Sequence, residues 1–278
     1  MVILDGKKVK RKILDELHSE VITLDDKPNL VVIQVGNNEA SNIYIKQKEK
    51  MAMDVGYGFS HLKFTEDITE NELLDEIDKL NEDSSVNGIL VQLPLPKQIN
   101  TNVIQNAIIP LKDVDGLSSM SAGKLFHDED TLIPCTPFGV MRLLDEYNIS
   151  VSGKNVTVIG ASDLVGKPMA ILLSNAGATV TVCHSKTKNL REYTLLADIL
   201  VVAVGHPCLI TADMVRDGTV VIDVGINRVD DIICGDVCFD TVKEKASYIT
   251  PVPGGVGPMT VAMLGENVLK AYKMQRNR

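Results

Sequence analysis

Residues Val156 to Ala170 read VTVIGASDLVGKPMA. Val156 to Ile159 is an apolar run, Gly160, Ala161 and Ser162 make a turn of small residues, and a helical pattern begins near Gly166. Strand, tight turn and helix in that order open a dinucleotide-binding unit. There glycine lets the backbone approach a pyrophosphate, and the helix N-terminus meets its negative charge. The spacing is G-x-S-x3-G, not G-x-G-x-x-G, so the motif alone fits an ordinary strand-to-helix turn equally well.

Downstream, the pattern predicts a strand at Thr179 to Cys183, a helix at Leu190 to Leu196, and a strand at Ile199 to Ala203. A short helix from Thr211 and a strand at Val220 to Val224 follow. That alternation suits a small doubly wound, Rossmann-like domain. Upstream, Val9 to Ile22 is an amphipathic helix and Leu30 to Val35 a buried strand. Ser41 to Val55 is a second helix, Tyr57 to Phe64 a strand, Asn71 to Asn81 a helix, and Gly88 to Leu93 a strand. The first half is therefore α/β as well, with a parallel sheet expected. Thr136 and Pro137 are expected as N-cap and first-turn proline of a helix running to about Tyr147 that joins two domains. The division expected is residues 1–136 for substrate and chemistry and 137–258 for the dinucleotide, with a terminal helix, 259–278, returning to the first domain. The active site is expected in the cleft between them.

At 278 residues, 45% of them hydrophobic, the chain is long enough for two cores. No segment approaches the ~20 consecutive apolar residues of a membrane span. The opening MVILDGKKVKRKIL has no long apolar region ahead of a cleavage site, so a cytoplasmic protein is expected. Cys135, Cys183, Cys208, Cys234 and Cys238 are odd in number and form no C-x-x-C pair, which agrees. Cys234 and Cys238 make at most half a metal site, and no metal is expected. The net charge of -9 argues against a nucleic-acid surface.

Four further stretches carry candidate chemistry. Tyr44 and Lys48, four residues apart, share one face of their helix. VQLPLP at 91–96 stops a strand with prolines and leaves a stiff loop at its C-terminal end, where open α/β sheets bind ligands. PLKDVDG at 110–116 sets Lys112, Asp113 and Asp115 before a glycine; by residue type it is a solvated turn. TPVPGGVGPMT at 250–260 packs glycines and prolines more densely than packing alone requires, which favours a ligand-facing role.

Taken together, Tyr44-x3-Lys48, VQLPLP, KDVDG at 112–116, VIGxS at 158–162, CHSKT at 183–187, DVGIN at 223–227 and PVPGGVGPMT at 251–260 resemble one family across essentially the whole chain. That family is the bifunctional methylenetetrahydrofolate dehydrogenase and methenyltetrahydrofolate cyclohydrolase of one-carbon metabolism. The resemblance implies oxidation of 5,10-methylenetetrahydrofolate to the methenyl cation with a nicotinamide dinucleotide, then hydrolysis to 10-formyltetrahydrofolate. It implies that Lys48 exchanges protons, that Tyr44 packs on the folate, that Gln92 bonds the lysine or the reacting group, and that Asp115 holds the pterin ring. Val91, Leu93, Pro253, Gly254 and Gly255 are implied along the folate. Gly160, Ala161, Ser162, Val165, Gly166, His184, Ser185, Ile226 and Thr260 are implied along the cofactor. A homodimer is implied too. Asp113 keeps its reading as a turn acid.

Where most relatives carry G-R-S, this chain has Gly160, Ala161 and Ser162, which weakens the case for NADP because arginine suits a 2′-phosphate. Yet the strand after the helix ends in Cys183, His184, Ser185 and Lys186, without the acid that usually holds an NAD ribose. NADP is expected, with NAD the alternative. A monofunctional NAD-dependent dehydrogenase and a non-catalytic dinucleotide sensor stay open as other readings.

Overall fold

The computed structural model describes residues 1–276, the side chain of Ala40 excepted. The chain forms two units: one of Arg11–Cys135 with the chain from Val261 on, the other of Met1–Lys10 with Thr136–Thr260. Each is taken by itself, with elements numbered along the whole chain.

The chain opens with β1 (Val2–Ile3) and α1 (Gly6–Val21). The first unit then holds β2 (Asn29–Val35), α2 (Glu39–Val55), β3 (Gly58–Phe64), α3 (Glu70–Glu82), β4 (Gly88–Gln92), α4 (Thr101–Ala107) and α5 (Ser119–Phe126). Its sheet is parallel in the order β3-β2-β4, and the register sets Gln34 beside Gln92 at the C-terminal edge. Asn38 caps α2 by accepting from Ser41 N, and Gly56 ends it in the left-handed region at φ 90°. Thr69 and Glu72 form a reciprocal capping box on α3. That helix buries Leu73, Ile77 and Leu80, a one-face spacing, against Val31, Ile33, Ile89 and Val91. Each such burial contributes about 2 kcal/mol. The short helices α4 and α5 escape the hydrophobic pattern because each buries too few residues to show a period.

The second unit continues with α6 (Cys135–Glu146), β5 (Asn155–Ile159), α7 (Gly166–Asn175), β6 (Thr179–Cys183), α8 (Leu190–Leu196), β7 (Ile199–Val202) and β8 (Val220–Asp223). After these come β9 (Asn227–Val229), β10 (Ile232–Cys234), α9 (Phe239–Val242), β11 (Tyr248–Ile249) and α10 (Val256–Arg276). Its six-stranded sheet runs β1-β11-β8-β7-β5-β6, every pair parallel. The strand order reverses direction at β5, between β6 and β7. Such a switch point is where a doubly wound sheet opens a crevice.

Several expectations shift. The first ten residues belong to the second unit, because Val2 N and Leu4 N bond Ser247 O and Ile249 O at 2.7 and 2.9 Å and extend that sheet by a strand. Thr136 lies inside α6, not at its cap, and its hydroxyl meets that of Thr260 at 3.0 Å. The helix expected from Thr211 is a single 3-10 turn, Ala212–Met214. The terminal helix begins at Val256, and the last two residues of the range expected for it lie outside the described residues. The β9–β10 hairpin turns at Asp230 and Asp231, both left-handed (φ 47° and 64°), without the glycine that signals such a turn in sequence. Cys208 and Cys238 form a disulfide with Cα atoms 4.5 Å apart, so Cys238 is not half of a metal site with Cys234, which stays free.

Candidate functional site

In the first unit, the residues of interest gather at the C-terminal ends of β2 and β4. Lys48 sits on α2, four residues past Tyr44, and its Nζ donates to Gln92 Oε1 at 2.9 Å. Gln92 is the last residue of β4, and its amide also donates to Leu93 O at 2.8 Å. Ser41 Oγ, on the first turn of α2, donates to the same carbonyl at 3.2 Å. The helix and the strand end are thereby tied together, and Lys48 is held where the amide oxygen waits. Tyr44 is exposed on the turn before it. The peptide bonds Leu93–Pro94 and Val252–Pro253 are cis.

Lys48 keeps part of its stem in solvent, but its ammonium sits in desolvated surroundings. Burial lowers its pKa below the ordinary lysine range, while the charges of Asp115 and Cys135 work in the opposite direction. Asp115 shows the mirror image: burial raises its carboxyl, Lys48 lowers it, Asp113 raises it, and a hydrogen bond with Cys135 lowers it. The Cys135 thiol is pushed well up by burial first and by Asp115 second. Ammonium, carboxylate and thiol thus form one coupled group, of which the sequence reading named only the first two.

The 110–116 loop is not a solvated turn. Lys112 is buried and donates to Leu80 O, Asn81 O and Asp83 O at 2.9, 2.8 and 2.7 Å, closing the end of α3. Asp113 is buried and accepts from Ser118 N (2.9 Å), Ser121 Oγ (2.8 Å) and Leu117 N (3.2 Å), anchoring the start of α5. Ile89 N donates to Lys112 O at 2.8 Å, so the loop runs on as an addition to β4. Those two charged residues are structural, and they deliver Asp115 to the lysine.

In the second unit, Gly160 follows β5 at φ 120°, and a Cβ there would overlap the Ala203 carbonyl. Gly166 opens α7 so close to Gly160 O that it too excludes a side chain. Ser162 Oγ accepts from Val165 N and Gly166 N at 3.2 and 3.5 Å, shaping the turn. Gly160 N bonds Cys183 O at 2.9 Å, which sets this turn beside the end of β6. There His184 and Ser185 are exposed, and His184 N donates to Thr187 Oγ1 at 2.9 Å. Ala161 is half-buried and Ile226, after β8, is exposed. The turn fits a pyrophosphate: close backbone approach, an amide-bearing helix N-terminus and no intruding Cβ.

Pro253, Gly254 and Gly255 also belong to the second unit, so the implied folate set divides between the units. Gly254 has φ 116°, and a Cβ at Gly6 would overlap the Gly255 carbonyl. Backbone-on-backbone packing against the start of α1 therefore accounts for part of the glycine density that was read as ligand-facing. Two buried acids escaped the sequence reading. Asp236 accepts from Val204 N, Gly205 N, His206 N and Asn227 Nδ2 at 2.7–2.9 Å. Asp223 accepts from Gly225 N, Asp236 N and Val237 N, and burial raises it to about 6 despite those bonds. An acid ending an apolar strand (VVID) was the available signal. Among the described residues no group of three or more His, Cys, Asp or Glu could hold a metal ion.

Comparison with known proteins agrees in two matches. A family model described as tetrahydrofolate dehydrogenase/cyclohydrolase, catalytic domain, matches residues 4–115, and its NAD(P)-binding domain matches 134–276. The bifunctional protein FolD of Nautilia profundicola is 54% identical over 98% of this chain and 98% of its own. The crystal structure of the bifunctional FolD dehydrogenase/cyclohydrolase of Campylobacter jejuni superposes with a TM-score of 0.97 at 50% identity, covering 99% of each chain. The Trypanosoma brucei dehydrogenase-cyclohydrolase, complexed with NADP cofactor and inhibitor, gives 0.95 at 37% identity, covering 100% of this chain and 99% of that one.

Proposed function

Because the chain belongs to the tetrahydrofolate dehydrogenase/cyclohydrolase family, we propose that it oxidises 5,10-methylenetetrahydrofolate with NADP and hydrolyses the resulting methenyl cation to 10-formyltetrahydrofolate. The observation that carries this reading is the Lys48–Gln92 hydrogen bond at 2.9 Å with the half-buried Asp115 close enough for its charge to act on the lysine, whose pKa burial lowers.

When bound, the dinucleotide supplies the hydride acceptor, and the protein's part in that step is orientation. Gly160 to Gly166 and the N-terminus of α7 cradle its pyrophosphate, while His184, Ser185, Ile226 and Thr260 line its length. Loss of a hydride from the methylene carbon leaves the methenyl cation. Hydrolysis asks more of the side chains. Water forms a bond to the cationic carbon and sheds a proton, a ring nitrogen gains one, the carbon–nitrogen bond to that ring atom breaks, and the new hydroxyl gives up its proton as the formyl carbonyl forms, so that one proton is released overall. Lys48, readily neutral because it is desolvated, takes and returns protons, and Gln92 holds it in place. Tyr44 packs on the substrate. Asp115 accepts the paired N–H donors of the pterin's amino-pyrimidinone edge. Val91, Leu93, Pro253, Gly254 and Gly255 supply backbone and apolar contacts along the folate.

The choice of NADP over NAD rests on the absence of an acid after β6 and on the exposed Ser185 and Lys186, which offer donors to a 2′-phosphate. No described helix is long and apolar enough to cross a membrane, and a cytoplasmic location suits the substrates. The exposed Val229, Ile232 and Ile233 of the β9–β10 hairpin favour self-association into a homodimer. The deciding assay follows methylenetetrahydrofolate-dependent reduction of each dinucleotide and, separately, decay of methenyl absorbance. Cofactor reduction without accelerated decay would leave only a monofunctional dehydrogenase.

A further inference from the structure

The part of α10 that lies in the first unit directs its polar side chains at backbone carbonyls. Gln275 Nε2 donates to Asn87 O and Leu111 O at 2.8 and 2.9 Å, Lys270 Nζ to Thr131 O at 2.7 Å, and Tyr272 Oη to Asp26 O at 2.9 Å. Asn267 is the one of these whose contacts flank the site. Fully buried, it donates from Nδ2 to Val114 O and to Ile133 O, both at 2.8 Å, and lies 3.6 Å from Cys135 Sγ. Val114 immediately precedes Asp115, and Ile133 lies two residues before Cys135. One amide therefore ties together the two chain segments that carry the carboxylate and the thiol.

The amide's two N–H groups are taken up by the two carbonyls, so the Cys135 sulfur at 3.6 Å packs against the amide rather than receiving a third hydrogen. The Cys135 thiol donates to the same Val114 carbonyl at 3.5 Å, so amide and thiol converge on the peptide oxygen next to Asp115, whose carboxyl the thiol favours in its charged form. We infer that Asn267 is a positioning residue: through the carbonyls of Val114 and Ile133 it fixes the two segments that carry the Asp115 carboxylate and the Cys135 thiol, and so sets Asp115 for the folate. The inference rests on the reading of Asp115 as the folate-holding acid.

A cycle of Asn267→Leu, Asp115→Asn and the double variant tests it, with Michaelis constants for methylenetetrahydrofolate and the dinucleotide and the pH profile of folate use. Asn267→Leu keeps the branching at Cγ, is somewhat larger, and removes the donors. The expected result is a folate constant raised about tenfold, the size of one lost hydrogen bond, with the dinucleotide constant unchanged. The acid limb of the profile should move to higher pH, because the carboxylate loses the thiol that favours its charged form. In the Asp115→Asn background the same change should add almost nothing, since residues acting as a unit are non-additive. Losses that multiply, or a folate constant and pH profile unchanged in Asn267→Leu while Asp115→Asn is impaired, would overturn the inference alone. An Asp115→Asn enzyme with the wild-type folate constant would overturn the site reading and the inference with it. If Asn267→Leu does not fold, Asn267→Ser, which retains one donor and admits water, carries the same cycle.

Discussion

The ammonium of Lys48, on the third turn of α2, donates to the side-chain oxygen of Gln92 at the last position of β4, 2.9 Å away and 44 residues later in the chain. The two ends are tied to each other as well: Asn38 caps α2, and Ser41 of that helix shares the Leu93 carbonyl with Gln92 at the strand end. A lysine held in desolvated surroundings suits the proton transfer proposed for it better than a surface ion pair.

Lys48→Met should therefore lower cyclohydrolase turnover by about 10²- to 10⁴-fold, the usual contribution of a positioned acid-base group. Hydride transfer, which needs orientation only, should fall far less. Decay of methenyl absorbance and cofactor reduction, measured on the same folded preparation, separate the two. Equal losses in both would mean that Lys48 shapes the substrate site as a whole.

Gln92→Glu tests the electrostatics directly. A carboxylate in place of the amide favours the ammonium form of Lys48 and so opposes the burial that lowers its pKa. The neutral lysine then appears only at higher pH, and the pH–rate profile for hydrolysis should shift in the alkaline direction. Gln92→Leu, with no acceptor, should shift it the other way. A profile that stays in place for both variants would detach the observed titration from Lys48.

How much of this was legible in the sequence follows from the physics of each signal. Strands β6 and β8 and helix α8 carry dense apolar runs and could be placed to within a residue, as could β4 before its prolines. β1, β11 and the strands of the hairpin at Asp230 and Asp231 are too short for a period; β1 and β11 pair across almost the whole chain, and the hairpin turn lacks a glycine to mark it. At the site, the α2 face and the strand end showed Lys48 and Gln92 as candidates, and the family resemblance gave them roles. Cys135 and Asn267 were invisible, because a cysteine in a helix start and an asparagine inside an apolar helix look like core until the carbonyls they meet are known. Lys112 and Asp113 misled in the opposite sense: their charges suggested solvent, yet three backbone acceptors and three donors satisfy them in the interior.

The buried acids of the second unit make a stability prediction. Asp223 sits at about 6 in the folded chain, above its ordinary 3.8, so the folded state binds the extra proton. Stability from this group is greatest below pH ~4, declines as pH rises toward 6, and is flat above; the change is about 3 kcal/mol. Chemical denaturation of wild type and Asp223→Asn across that window should show a shallower pH slope in the variant, whatever its absolute stability. Asp236→Ala should cost more than Asp223→Asn at every pH, since it removes the shared acceptor of the backbone N–H groups of residues 204–206, at about 1 kcal/mol for each part-buried bond lost.

Ala161→Arg addresses the cofactor. Residue 161 sits directly after the left-handed Gly160 in the turn beside the end of β6, and Ser185 and Lys186 stand exposed there. Arginine adds a fixed positive charge with a planar fork of donors, which matches a 2′-phosphate bidentately. Its gain should fall on NADP alone: a Michaelis constant lowered about tenfold for one charge-assisted pair, with that for NAD unchanged or raised. Lys186→Ala in the wild-type chain should do the reverse, weakening NADP and sparing NAD. If Lys186→Ala leaves the NADP constant alone and the unaltered enzyme uses NAD at a lower constant than NADP, the cofactor is NAD, and Ala161 marks the loss of the phosphate site.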